Sequence, residues 1–385
     1  MRIKKRVLFI GPVPPPYSGP ELGMKQFRES KLLNDTFEIT FLQTNFRVDN
    51  TNKGKFGIAM FLNFFLFFSK LLVQLIFYRP NCVYYPITTT QIGWIGRDFW
   101  TIIIAKIFNV KVIIHLRGSH FKLNYQDFYP IVKKMVAFAL RKVDTAIVQA
   151  GYLEDQFYPN ITNCNVEILY QAMDVDEFTI GNKKDIIEQK ILVIGHMTKA
   201  KGYTDILKVI PRIVDEFPNV KFCFAGTIRK GERGVFFNQF TGKKIIYEDP
   251  FEAEKTILNS PYSKNYSNFG IIQGAEKLKH LHTSDIFLTA SYSEGFSRAL
   301  LEAMCVGKPL IYTPVGAHRE VLNEKNGISF MPGDLDGLYC AIKSMLLNND
   351  RISMGFHNRK EVETLFSLEK ITKDFKTILV KTIEK

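Results

Sequence analysis

Cysteine is scarce in this 385-residue chain: Cys82, Cys164, Cys223, Cys305 and Cys340 form an odd set with no C-x-x-C pair. That excludes a disulfide miniprotein and a zinc module and points to reduced core thiols in a cytosolic protein. No D-x-D metal motif stands at a strand end, and no zinc spacing or basic heptad helix marks a nucleic-acid binder. The basic start and the apolar run Val7–Ile10 imitate a secretory leader, but the run is too short for one and no small-residue cleavage site follows, so no leader is expected in it. That run reads instead as a first buried strand.

Acidic residues are scarce in one half only. Residues 1–150 hold 21 Lys and Arg against 8 Asp and Glu, while residues 151–385 hold 30 of each, so the whole formal charge of +13 sits at the front. An N-terminal part facing an anionic surface fits this polarity. Otherwise the composition is that of a folded protein, with 46% hydrophobic and 23% charged residues. At roughly 100–200 residues per domain, the length calls for two domains.

Apolar runs bounded by turn residues alternate with helical stretches, the pattern of parallel sheets covered by helices. We expect strands at 7–10, 38–42, 82–85, 110–115 and 145–149, and a second set at 191–195, 220–225, 269–272, 286–289 and 309–312. The polar stretch GNKKDIIEQK separates the sets, giving two tandem α/β units joined near residues 180–189, with a ligand cleft where the strand ends converge. Residues 56–78 are apolar for a span's length, yet Asn63, Lys70 and Gln74 form a polar stripe. A helix packed on the sheet or dipping into a membrane interface is expected, rather than a transmembrane span. Residues 227–268 show no periodicity and read as an insertion or mobile loop.

The stretch ASYSEGFSRALLEAMCVGKPLIYTPVGAHREV carries the most chemistry. A strand end gives way to a loop at Ser293, Glu294 and Gly295, and Phe296, Ser297 and Arg298 open a helix whose N-terminus suits an anion. Glu302 lies inside that helix, where its carboxylate is a suitable acceptor for two ribose hydroxyls.

Two glutamates separated by seven residues in S-x-x-E-G-F-x-x-x-x-x-E-A-M-x-x-G-K-P resemble the signature of retaining glycosyltransferases of the GT-B fold, glycosyltransferase family 4. The resemblance extends to GHMTKAKGYTDIL, VGAHREV, NGISFMPGDLDGL and QAMDVDEF. It implies an α/β, GT-B architecture of two Rossmann-like domains facing each other across a donor-binding cleft. Residues 1–180 would form the acceptor-side domain and 190–360 the nucleotide-sugar domain, with 361–385 a helix packing back toward the first. By position, Lys201 and His196 would contact the donor diphosphate, Glu294 the transferred sugar and Glu302 the ribose, with Gly295 and the amides of Phe296 and Ser297 at the phosphates. His196 stands where the family usually has Arg, and offers one hydrogen bond rather than a fork. In GPVPPPYSGPELGM, Gly19 matches the family's Gly-Gly turn, while Pro20 lacks an N–H. In KVIIHLRGSHF, His115 is the first choice for the histidine near the transferred sugar, with Arg117 and His120 the competing registers and Arg298 a further donor contact. Lys201, Glu294 and His115 are the implied catalytic set.

The resemblance thus implies a metal-independent transferase without cofactor, taking a nucleotide-diphosphate sugar and an acceptor hydroxyl with retention. The basic, Phe-rich N-terminal half points to a lipid-linked glycan of bacterial capsule, O-antigen lipopolysaccharide or exopolysaccharide assembly. Contact with anionic lipid would place the protein peripherally at the cytoplasmic face. The rival readings are a nucleotide-sugar epimerase, an inverting GT-B enzyme, and a non-catalytic nucleotide-sugar-binding subunit.

Overall fold

The computed structural model describes residues 4–15, 19–44, 58–158, 164–180, 189–229 and 237–385, without the side chains of 58–61. The linker residues 181–188, Phe56 and Gly57 of the long apolar segment, residues 230–236 of the expected loop and 16–18 of the Pro-rich turn lie outside the described residues. The chain divides into two compact units, Met1–Ala172 with Leu368–Lys385, and Met173–Ser367. The first boundary falls after Ala172, ahead of the expected junction near 180–189, and the second after Ser367, beyond the expected 361, and each unit is described by itself.

The first unit is built from β1 (Lys5–Gly11), α1 (Gly19–Glu29), α2 (Lys31–Thr36), β2 (Phe37–Gln43), α3 (Ile58–Val73), β3 (Cys82–Pro86), α4 (Gln91–Gly93), α5 (Phe99–Ile107), β4 (Lys111–Leu116), α6 (Phe121–Gln126), α7 (Pro130–Leu140), β5 (Thr145–Val148) and β6 (Asn165–Ile168). Its six strands are parallel in the order β2-β1-β3-β4-β5-β6. Strand side chains alternate between the two faces. Val7, Phe9, Cys82, Tyr84, Ile113 and Ile147 share one core with Met24 and Phe27 of α1 and with Leu33 of α2. The chain steps from β2 through β3 and β4 to β5 in one direction, so right-handed crossovers place α3, α5 and α7 on the other face.

The second unit runs β7 (Gln189–Ile194), α8 (Tyr203–Glu216), β8 (Val220–Ala225), α9 (Pro250–Leu258), β9 (Tyr266–Asn268), α10 (Gly274–Thr283), β10 (Ile286–Thr289), α11 (Arg298–Cys305), β11 (Leu310–Tyr312), α12 (His318–Val321), β12 (Gly327–Ser329), α13 (Leu335–Leu347) and α14 (Arg351–Glu361). Its six parallel strands are ordered β12-β11-β10-β7-β8-β9. The last helix, α15 (Leu368–Glu384), returns to the first unit, where Phe375 stacks on Phe27 at 4.5 Å and Thr382 bonds Thr145 at 2.7 Å.

Three readings are corrected. The strand expected at 269–272 is Tyr266–Asn268 instead, and Phe269 and Ile271 are exposed beyond its end. The segment expected to be an insertion or mobile loop contains α9, started by Pro250 in its first turn and by Asp249, whose Oδ1 accepts from Phe251 N at 2.9 Å. Finally, the five cysteines are free, but Cys340 is exposed on α13 and Cys164 is half-buried, so neither is a core thiol.

Candidate functional site

The second unit assembles its charged residues at the carboxyl ends of β7 and β10. Gly202 decides the approach. Its φ of +71° is left-handed, and a Cβ there would lie 2.2 Å from the Ala290 carbonyl oxygen. Only glycine lets the turn before α8 press against the end of β10. Tyr292 N donates to Ala200 O at 2.9 Å across the same contact, and Lys201 Nζ thereby reaches Glu294 Oε1 at 2.7 Å. Ser291 Oγ donates to the same oxygen at 2.9 Å. A second glycine closes the loop from the far side: Gly316, φ +54°, passes where a Cβ would meet the Glu294 carbonyl oxygen at 2.1 Å. Ala317 N then bonds Gly295 O at 2.8 Å.

Burial alone would raise the Glu294 carboxyl, but the Lys201 ammonium and the Ser291 hydroxyl outweigh it and hold it below the usual carboxylate range. Glu294 is therefore an anion at neutral pH. His318, fully buried close to it, is held below its ordinary value by burial, against the opposing pull of Glu294 and the Thr313 carbonyl. Its Nδ1 lies 3.2 Å from Thr313 O.

Immediately after this loop, Ser297 caps α11 by accepting from Leu300 N at 3.4 Å. Glu302, 3% exposed, receives Lys277 Nζ at 2.7 Å and Arg298 Nε at 3.3 Å, both on Oε1. Phe296 turns its ring inward, edge-on to Phe366 at 5.1 Å, so only its backbone can serve a ligand. The structure thus brings Lys201, Glu294, Gly295, Phe296, Ser297, Arg298 and Glu302 into one loop and helix start. His196 lies exposed in the turn after β7.

In the first unit, His115 ends β4 on the α1 side of the sheet and is 2% exposed. Its Nδ1 lies 2.7 Å from the Tyr84 hydroxyl, which also accepts from Arg117 Nη2 at 3.4 Å. Burial raises the Tyr84 phenol, against the pull of Arg117, so it keeps its proton and donates a hydrogen bond to His115 Nδ1. Burial, followed by the Arg117 charge, pushes His115 well below its ordinary value. The network therefore assigns a neutral ring with its proton on Nε2, and that nitrogen is buried without a partner, as is Arg117 Nε. Gly23 of α1 makes room for Arg117, since a Cβ there would lie 2.3 Å from its Nη1. Gly19 opens α1 with nothing within 4 Å of where its Cβ would be.

Sequence reasoning missed Lys277, Ser291 and His318. Ser291 and His318 lay inside stretches already quoted, whereas nothing marks Lys277 among the two lysines and two histidines of α10. Among the described residues no three His, Cys, Asp or Glu side chains are grouped to hold a metal, and no helix is long and apolar enough to cross a membrane.

Residues 176–361 match the family model for glycosyl transferases group 1. An uncharacterized glycosyltransferase of Methanocaldococcus jannaschii is 23% identical over 331 residues, 80% of this chain and 78% of that one. The capsular polysaccharide biosynthesis glycosyltransferase CapM of Staphylococcus aureus is 23% identical over 57% of this chain. The alpha-galactosylglucosyldiacylglycerol synthase of Streptococcus pneumoniae is 24% identical over 50% of it. The chain spans about half the length of these last two. Among solved structures, a sucrose-phosphate synthase of Thermosynechococcus elongatus superposes with a TM-score of 0.76 at 14% identity, covering 98% of this chain and 99% of that one. The Anabaena protein HepE in complex with UDP-glucose gives 0.68 at 15%, covering 98% and 99%. The chain therefore has the GT-B fold, and the match to glycosyl transferases group 1 covers its residues 176–361.

Proposed function

We propose that this protein is a retaining glycosyltransferase that moves a sugar from a nucleotide-diphosphate donor to the hydroxyl of a lipid-linked glycan, in cell-surface polysaccharide assembly. The observation that carries the reading is the Lys201–Glu294 pair at the mouth of α11, with Glu302 held behind it by Lys277 and Arg298. As the sugar–phosphate bond breaks, its electron pair goes to the leaving diphosphate. Lys201 and the α11 N-terminus, with the amides of Phe296 and Ser297, would stabilise that charge. His196 and Arg298 would add donors, and Gly19 would let the phosphates approach α1. Glu294 would hold the transferred sugar and Glu302 the ribose hydroxyls. His115 would give its Nε2 proton as a hydrogen bond to a sugar hydroxyl, with Arg117 beside it. The acceptor hydroxyl attacks on the face the diphosphate leaves, and its proton passes to the departing phosphate oxygen, so no metal and no separate base are needed. The relatives named for capsule and glycolipid synthesis support the acceptor class, and HepE, solved with UDP-glucose, supports a nucleotide-sugar donor. A peripheral position on the cytoplasmic side of a membrane follows from that acceptor.

The test is a donor panel: thermal shift and hydrolysis with uridine, guanosine and adenosine diphosphate sugars on wild type, Lys201→Ala and Glu302→Ala. One nucleotide should bind, both substitutions should abolish its signal, and the product should keep the donor's anomeric configuration. Inverted product, or binding without turnover beside a proven acceptor, overturns the reading in favour of an inverting enzyme or a binding subunit.

A further inference from the structure

The helix layer α3, α5 and α7 of the first unit buries only its inner stripe. Phe67, Leu71 and Leu75 pack inward, yet Phe65 is 71% exposed and Phe77, just beyond α3, is 76% exposed. Leu62, Leu66, Leu72, Val73 and Ile76 are exposed with them. On α5, Trp100 and Ile107 repeat the pattern, and on α7 Ile131, Lys134, Phe138 and Arg141 follow one another at the three- and four-residue spacing of a single helical stripe. α5 contacts both α3 and α7, so these outer stripes are neighbours on one surface. A soluble helix shows polar residues there, and scattered exposure does not explain side chains concentrated on three adjacent helices.

The charge of the same stretch names the partner. Residues 58–142 hold eleven Lys and Arg but only two acids, and one of those, Asp98, is fully buried. Lys70, Arg79, Lys134, Arg141 and Lys142 are exposed among the apolar side chains. A second copy of this chain would lay the same basic surface against itself, which like charge opposes. We propose that the α3–α5–α7 surface docks onto an anionic lipid bilayer, the aromatic and aliphatic side chains entering the headgroup boundary and the cations resting on lipid phosphates. His115 and Arg117 lie toward the opposite, α1-facing side of the sheet, so docking leaves their end of the strands uncovered. The proposal deepens the lipid-linked acceptor reading and rests on it for the purpose of the contact, while the surface itself is independent of any transfer chemistry.

The full chain is sedimented with vesicles of phosphatidylcholine alone, and with about one lipid in three replaced by phosphatidylglycerol. Binding is expected to the anionic vesicles only, and to fade as salt shortens the screening length. Phe77→Ser and Ile131→Ser should each weaken it about tenfold, and Lys134→Ala or Arg141→Ala about fivefold. All four residues are exposed, and unchanged thermal unfolding would establish that the variants are folded. No binding to anionic vesicles, or binding that the variants leave unchanged, overturns the proposal. So does a dimer in sedimentation velocity that Phe77→Ser dissolves, which would give the surface to a second copy. Nucleotide binding measured on the same samples separates the two readings: vesicle binding without nucleotide binding sinks the transferase, and the reverse sinks the surface.

Discussion

The two units treat their charged groups in opposite ways. In the second, each cation placed near α11 already has its carboxylate: Lys201 with Glu294, and Lys277 and Arg298 with Glu302. The sequence beyond residue 150 is correspondingly neutral, with 30 basic and 30 acidic residues. In the first unit, His115 and Arg117 each bury a nitrogen without a partner, and the outer helix layer carries cations and apolar side chains with almost no acid. The contrast is one of charge: the second unit pairs its charges around α11, although His318 Nε2 is buried there without a partner as His115 Nε2 is in the first, whereas the outer layer of the first unit carries cations with almost no acid. A ligand at α11 therefore displaces or joins existing ion pairs, whereas at His115 and Arg117 it meets nitrogens that have no partner.

The largest test of that contrast is removal of one member of a pair. Lys201→Ala takes away the cation that would meet the leaving diphosphate and leaves the Glu294 carboxylate without its ammonium. Turnover should fall by about two to three orders of magnitude, the usual loss for one charge-stabilising donor. Glu294→Gln, which keeps the shape, should lower turnover more than it lowers nucleotide affinity in a donor titration. Equal loss of affinity and turnover would show that the pair serves binding alone. A step below this is Gly202→Ala, whose Cβ would stand 2.2 Å from the Ala290 carbonyl at a left-handed φ. Strain of this kind costs about 1–3 kcal/mol. Both tryptophans, Trp94 and Trp100, lie in the first unit. The loss should therefore appear in circular dichroism more than in tryptophan fluorescence.

Acid separates the units by the group that titrates. Burial holds His115 well below its ordinary value, so the folded state keeps it neutral where the unfolded chain takes a proton. Its contribution is complete above about pH 6.5 and drains away as pH falls from there toward the lowered folded value. Glu294 is depressed instead, so its contribution is present above about pH 4.3 and is lost only as pH falls through its lower folded value. Denaturation followed by tryptophan fluorescence should show first-unit stability declining below about pH 6.5, and His115→Asn should flatten that decline. Glu294→Gln should leave this window unaltered. His318 is also held low by burial, so the second unit has its own histidine-linked loss, which those fluorophores do not report directly.

The same contrast governed what the sequence made legible. Strands buried on both faces, such as VLFI in β1 or IFLT in β10, read directly as apolar runs. The misses are at sheet edges: β6 is NVEI, β9 is YSN and β12 is GIS, short and partly polar because one side meets solvent. The apolar FGII after β9 was misleading for the same reason, being a strand end that projects beyond the sheet. Around α11, the loop and helix start drew attention to Glu294 and Glu302, and the family resemblance to Lys201, because these residues sit in short, locally patterned stretches. Lys277 left none, since its value depends on α10 lying beside α11, a tertiary fact that periodicity does not encode. For residues 56–78 the sequence could not choose between core and interface; among the described side chains Phe67, Leu71 and Leu75 are in the core and Phe65, Leu66, Leu72, Val73, Ile76 and Phe77 are exposed.

The smallest expected effect is the most discriminating for the outer layer. If Phe77, Ile107 and Ile131 were part of the fold's own core, truncating them would cost as buried positions do, about 3–5 kcal/mol for a phenylalanine. At 76%, 74% and 66% exposure they have little packing to lose. Phe77→Ala, Ile107→Ala and Ile131→Ala should therefore each change the free energy of unfolding by no more than about 0.5 kcal/mol. Denaturant titration followed by the two tryptophans checks this directly. Since Trp100 lies on α5 itself, a local rearrangement of the layer would also shift its emission. A neutral outcome means that these side chains are retained for something other than folding, whereas a large loss would fold the layer back into the core and remove the difference between the two units.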